Sequence, residues 1–227
     1  MVLAGKVFKL KEETDLTGIS AKLKGYRSEE ECTYGDQTIP LVREIGKLAL
    51  TSDTLSGVFS QDVAFTVAHR DGERLVVKTM EAPFLFAREG KRIYLIVLEK
   101  KRIANNMANQ LSKILFMGAG SIVEAKIEPV TLKKYHEANP EDTKVIFFDG
   151  VDIPNIDKLS LYGSGLADTA LYGEYSSRGA IWYMVFKSRR YGIVAGVTRS
   201  AVVTSFSQIK EQEFLAFITG EIFPLIE

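Results

Sequence analysis

Apolar positions along this chain fall into short runs with strand character, divided by polar turns, and into two stretches with helical spacing. The C-terminal stretch shows the pattern most clearly. Ile181-Trp182-Tyr183-Met184-Val185-Phe186 is a continuous apolar run rich in β-branched and aromatic residues. Lys187 to Gly192 reads as a polar turn, and Ile193 to Thr198 as the return strand. From Ser205 to Ile226 the apolar residues Ile209, Leu215, Ile218, Ile222, Phe223 and Ile226 recur near the helical period, which predicts a long C-terminal helix. Ser205 and Gln208 have capping-box spacing at its start, and Pro224 should end or kink it.

The same order occurs near the middle: strand Phe84 to Phe86, turn Arg88-Glu89-Gly90, strand Ile93 to Leu98, then a helix over Lys101 to Phe116. Before it, Lys6 to Lys11 predicts a first strand. A short helix over Leu16, Ile19 and Leu23 follows, capped by Thr14 or Asp15. Arg27 to Glu31 reads as a charged connection, and Gly35-Asp36 as a turn. Strands are expected at Thr38 to Val42, from Lys47, at Val58-Phe59 and at Val63 to Val67, with a hairpin turn at Asp71-Gly72. After Met117-Gly118-Ala119-Gly120 the order restarts. Val123 to Glu128 matches Val7 to Glu12, Asp152-Ile153-Pro154 matches Thr38-Ile39-Pro40, and Lys158 to Leu161 matches Lys47 to Leu50.

These elements predict an α+β fold: a mainly antiparallel sheet with helices on one face, built as two pseudo-repeats of strand-helix-strands-helix. The expected halves are residues 1–118 and 119–227, sharing one sheet or a tight interface. An antiparallel sheet packed on one side only keeps its other face available. In element order alone this is similar to the duplicated saddle of TATA-box-binding proteins. The halves here are longer, and that family's paired base-wedging phenylalanines are not found in recognisable context. Such an analogy implies a fold and no function.

Composition narrows the classes. The 227 residues are 46% hydrophobic and 26% charged, which excludes a disordered chain. The formal net charge is +0, which argues against polyanion binding by bulk charge and leaves room for a local basic face. Cys32 is the only cysteine, so neither an internal disulfide nor a zinc set is available, and a reducing, cytoplasmic setting is expected. No apolar run is long enough to span a bilayer, and the N-terminus lacks a signal-peptide core. Scarce Gln and Asn beside abundant Ile, Val, Lys and Glu suggest a thermophilic source.

The candidate chemistry is thin. Gly163-Ser164-Gly165 lacks the third glycine of a dinucleotide loop and reads as a turn. His69 and His136 have no nucleophile or orienting partner in sequence and read as surface histidines. Cys32 follows Glu29, Glu30 and Glu31, which oppose its ionisation. Asp149, Asp152 and Asp157 do not have calcium-loop spacing and read as turn aspartates. No metal or cofactor is expected. Basic residues instead recur at corresponding turns: Arg88, Lys91 and Arg92 in one, and Lys187, Arg189 and Arg190 in the other. Tyr183, Phe186 and Tyr191 flank the second turn and are able to stack on bases. Asn105, Asn106, Asn109 and Gln110 form an amide face on the middle helix.

The sequence therefore points to a non-enzymatic binding or interaction module, with nucleic acid as the candidate partner of the basic turns. The alternatives are a small-ligand protein with its pocket between sheet and C-terminal helix, or an enzyme without a recognisable motif. The near-continuous apolar run Phe214, Leu215, Phe217 and Ile218 makes the C-terminal helix either deeply packed or a homodimer contact.

Overall fold

A computed structural model describes residues 2–35 and 37–227. The turn expected at Gly35-Asp36 includes Asp36, which lies outside the described residues. In chain order the elements are β1 (Leu3–Leu10), α1 (Leu16–Leu23), β2 (Arg27–Tyr34), β3 (Gln37–Leu50), β4 (Thr54–His69), β5 (Gly72–Glu89), β6 (Arg92–Val97) and α2 (Lys101–Phe116). There follow β7 (Ile122–Glu124), α3 (Pro129–Ala138), β8 (Thr143–Ile153), β9 (Ile156–Tyr162), α4 (Ala170–Arg178), β10 (Ala180–Lys187), β11 (Val194–Thr198), β12 (Val202–Ser205) and α5 (Glu211–Phe217). The class is mixed α+β with antiparallel strand pairing.

The chain forms two compact units. The N-terminal unit comprises Leu10–Leu98 and Arg102–Val123. The C-terminal unit takes in the chain through Lys9, Glu99–Lys101 and Glu124–Glu227.

In the N-terminal unit β2, β3, β4, β5 and β6 are successive antiparallel neighbours. The residues read as a charged connection, Arg27 to Glu31, are instead an edge strand. Opposite charges face each other across the ladder: Arg27 bonds Glu44 at 3.1 Å, and both Arg43 amines bond the Glu30 carboxylate, at 2.6 and 2.7 Å. Such cross-strand pairs support a strand whose own apolar content is low, and charge on an outer edge discourages pairing with other chains. β4 and β5 run in unbroken register from Thr54–Ala87 to His69–Gly72 around a two-residue turn at Arg70-Asp71.

Both helices of this unit follow the periodicity. Asp15 caps α1, its carboxylate accepting from the Gly18 amide at 2.6 Å, and Leu16, Ile19 and Leu23 are buried. α2 has the bounds expected of it and buries Ala104, Met107, Ala108, Leu111 and Leu115, one stripe at helical spacing.

In the C-terminal unit the antiparallel order is β1-β12-β11-β10-β8-β9. The core is made where Phe186 meets Tyr135 of α3 and Phe217 of α5, and where Phe148 meets Tyr172 of α4. Helix α4 has little apolar signal. It is set by its cap, Thr169, whose hydroxyl accepts from the Tyr172 amide at 3.1 Å.

The single helix expected over Ser205 to Ile226 is corrected. Ser205 belongs to β12, pairing with Leu3 on one side and Ala195 on the other, so its backbone is committed to the sheet. Helix begins only after Lys210, whose amide donates to the Glu213 carboxylate at 2.8 Å. It gives way to a π turn at Ile218–Ile222 and a 3-10 turn at Phe223–Leu225. Pro224 is the physical reason: without an amide hydrogen it cannot continue the α-helical ladder. The Gly220 carbonyl, four residues back, accepts instead from Arg190 at 3.5 Å. Phe214, Phe217, Ile218 and Ile222 are fully buried within the described chain, which removes the ground on which a homodimer was expected.

Candidate nucleic-acid interface

The two basic turns lie in different units. Arg88, Lys91 and Arg92 surround the Gly90-Lys91 turn between β5 and β6, and all three are exposed. Gly90 has φ 60°, a left-handed conformation that suits glycine at such a tight reversal. These three side chains form no ion pair among the described residues.

The turn between β10 and β11 differs. Lys187 is exposed, but Arg189 pairs with Asp142, Nε to Oδ2 2.5 Å, and Asp142 is only 14% exposed. The Arg190 guanidinium lies 5.2 Å from the centre of the Tyr191 ring. Beneath them the Ser188 hydroxyl is buried. It donates to one carboxylate oxygen of Glu221 and accepts from the Tyr191 amide at 3.1 Å. The Tyr135 hydroxyl donates to the other Glu221 oxygen. Burial, strengthened by that hydrogen bond, pushes the Tyr135 phenol far above its ordinary range. With both carboxylate oxygens already accepting, the Ser188-Glu221-Tyr135 arrangement pins the turn to α3 and the C-terminal segment. Of the aromatics expected to flank this turn, Phe186 is core and Tyr191 packs edge-on against Phe217 at 5.7 Å.

Tyr183 alone of the three joins a surface cluster, with residues that sequence reasoning did not single out. The Phe147 ring lies 6.1 Å from Tyr162, 5.7 Å from Trp182 and 5.5 Å from Tyr183, and Trp182 lies 5.7 Å from Tyr183. Tyr162 is 69% exposed, and the other three are part-exposed. Strand alternation separates Phe147 from the buried Ile146 and Phe148, the latter packing on Tyr172 of α4. The register explains how two consecutive residues join the same cluster. Ile181 pairs with Phe148 and Tyr183 with Phe147, so Trp182 is the extra residue of a β-bulge. The Lys158 ammonium sits 5.5 Å from the Trp182 ring centre. Arg199, 37% exposed and just after β11, pairs with Asp149 of β8, so this aspartate, expected in a turn, belongs to a strand paired with β10. Burial raises the Tyr183 phenol above its ordinary value, Tyr162 adding to the shift.

The histidines divide. His69 is exposed at the end of β4. His136 is not a surface residue. It is fully buried, its Nδ1 lies 2.8 Å from the Thr143 hydroxyl, and its ring packs on Tyr172 at 4.7 Å. Its helix presents polar residues on either side in sequence, so only the position of β8 reveals the burial. Gly163-Ser164-Gly165 forms a bend ahead of a short 3-10 turn at Leu166–Asp168. No helix among the described residues is long and apolar enough to cross a membrane. No protein-family model and no curated protein matches this chain.

Proposed function

We propose that this chain is a non-enzymatic binding module that holds single-stranded nucleic acid on the aromatic surface of its C-terminal unit. The observation that carries the reading is the contiguous set Phe147, Tyr162, Trp182 and Tyr183 on β8, β9 and β10, with Lys158 beside it. On this reading the helices of the unit occupy the opposite face of the sheet. Flat, part-exposed rings on an antiparallel sheet give unpaired bases a place to stack, at about 1–3 kcal/mol per base. Duplexes keep their bases stacked inside and gain little from such a surface. Net charge +0 fits a site that works by stacking first and phosphate contact second. Lys158, Arg199 and the exposed Lys187 are the cations proposed for that second role.

Trp182 is the only tryptophan, so its fluorescence reports this surface directly. Titration with oligothymidylate or oligouridylate should quench it saturably. The same length of duplex should quench far less. Tyr162→Ala should weaken binding by roughly tenfold, the loss of one stack. Absence of saturable quenching at low salt would remove the nucleic-acid reading.

A further inference from the structure

A groove of about 380 Å³ opens in the N-terminal unit between β4, β5 and the start of α2, a volume typical of small-molecule sites. Its apolar lining is Phe59, Ala82 and Met107, all buried, with Val63, Met80 and Ile103 part-exposed beside them. The β4–β5 register pairs Phe59 with Ala82 and Gln61 with Met80, so these side chains share one face. Glu81 pairs with Ser60 one position along, and alternation directs its carboxylate to the other face.

The polar lining is Gln61, Asn106 and Arg102, with Glu81 contributing at the position whose side chain alternation turns away. Gln110, from the amide face of α2, decides how the two amides are turned. Its Nε2 donates to the Gln61 carbonyl oxygen at 2.8 Å and to the Asn106 carbonyl oxygen at 3.4 Å. Each oxygen thus accepts one bond, and each amide keeps its NH2 for another partner. Arg102 is exposed and forms no ion pair among the described residues. With the Glu81 carboxylate directed to the other face, the charged group this groove offers a ligand is the Arg102 cation, beside the two amide NH2 groups.

We infer that the groove binds a small amphiphile with a carboxylate head and an unbranched apolar tail. The head meets Arg102 and the Gln61 and Asn106 amides, and the planar guanidinium suits a two-oxygen acceptor. The tail lies along Met80, Met107, Ile103 and Phe59, where two flexible thioethers adapt to its course. This site is independent of the aromatic surface, since its residues belong to the other unit and Trp182 is remote from it in sequence and unit.

Isothermal titration of the full chain with sodium octanoate, octylamine and octanol, each below its micelle-forming concentration, tests the inference. Saturable binding of one octanoate per chain is expected, with octylamine at least about tenfold weaker, a step of 1.4 kcal/mol. Arg102→Gln should weaken octanoate by about tenfold and leave octanol unchanged. No saturable octanoate binding, octylamine as tight as octanoate, or an Arg102→Gln chain that binds octanoate normally would each overturn it. None of these outcomes bears on Trp182 quenching by oligonucleotides.

Discussion

The Tyr183 ring lies directly over Gly196 on the neighbouring strand: a Cβ added to Gly196 would fall 2.2 Å from the Tyr183 hydroxyl oxygen. The glycine is not there for backbone freedom, since its φ is outside the left-handed region. It leaves the space in which Tyr183 lies against the sheet beside Phe147 and Trp182. Gly196→Ala should displace Tyr183 while the strand persists. Oligonucleotide affinity is expected to fall by roughly five- to a hundredfold, the equivalent of one lost stack. The measurement is Trp182 quenching on a variant whose circular dichroism matches the parent. Unaltered affinity would show that Tyr183 is not part of the binding surface.

The two basic turns should respond differently to charge reversal. Arg189 is bonded to Asp142, and Arg190 to the Gly220 carbonyl and the Tyr191 ring. Arg189→Glu with Arg190→Glu therefore places two carboxylates against Asp142 and the neighbouring Glu221. Melting temperature should drop, and oligonucleotide affinity with it. Arg88→Glu with Arg92→Glu alters only exposed side chains, and its effect on stability should stay within about 0.5 kcal/mol. If those residues bind phosphate, the variant's salt slope flattens by about 0.7 for each phosphate no longer neutralised. An unchanged slope would confine binding to the C-terminal unit. Thermal melts and titrations at several salt concentrations separate these outcomes.

Alkaline pH tests the pin beneath the second turn. The folded chain holds the Tyr135 proton well above the ordinary 10.0, through burial and the bond to Glu221. Tyr172 is shifted the same way, chiefly by burial with Glu137 nearby. An unfolded chain releases these protons as pH passes about 10. Stability from the shifts is thus complete below that pH and declines as pH rises further. Tyr135→Phe should make the alkaline decline shallower. At neutral pH it should cost about 1–3 kcal/mol, because Glu221 and Ser188 lose part of their satisfied network. Denaturant melts of both proteins from pH 7 to pH 11 read both effects, and parallel curves would assign the decline to other groups.

Much of the fold was legible because periodicity is local. The stripe on α2 and the Asp15 cap of α1 announce themselves within a few residues. Apart from the C-terminal helix, broken locally at Pro224, the errors come from interactions that arrive from elsewhere in the chain. β2 is a strand because Glu44 and Arg43 of the adjacent strand bond its charges. Ser205 is in a strand because Leu3 and Ala195 flank it. The candidate surface was illegible for the same reason. Phe147, Tyr162 and Trp182 are far apart in sequence and come together through strand order and a bulge. Phe147 is indistinguishable from the core residue Phe148 until the register is known. One signal was available: two aromatic pairs, Phe147-Phe148 and Trp182-Tyr183, occur in strands where alternation allows only one member of a regular pair to be core.

His136 gives the chain an acid-sensitive point. Its imidazole is fully buried against Tyr172, and no partner among the described residues bonds Nε2. Burial lowers its pKa from the ordinary 6.5, the nearby Glu137 and Asp168 opposing the shift without reversing it. A depressed folded-state value means that the unfolded chain takes up the proton first as pH falls. The stability associated with neutral His136 is complete above about pH 6.5 and is lost progressively as pH drops toward the folded-state value. In His136→Gln this part of the acid decline should vanish, while an amide keeps a polar partner available to Thr143. Comparison of melting temperatures between pH 4 and pH 7 checks it, and imidazole proton resonances locate the titration directly. An imidazole that titrates at or above 6.5 in the folded chain would show that His136 is not held neutral by burial.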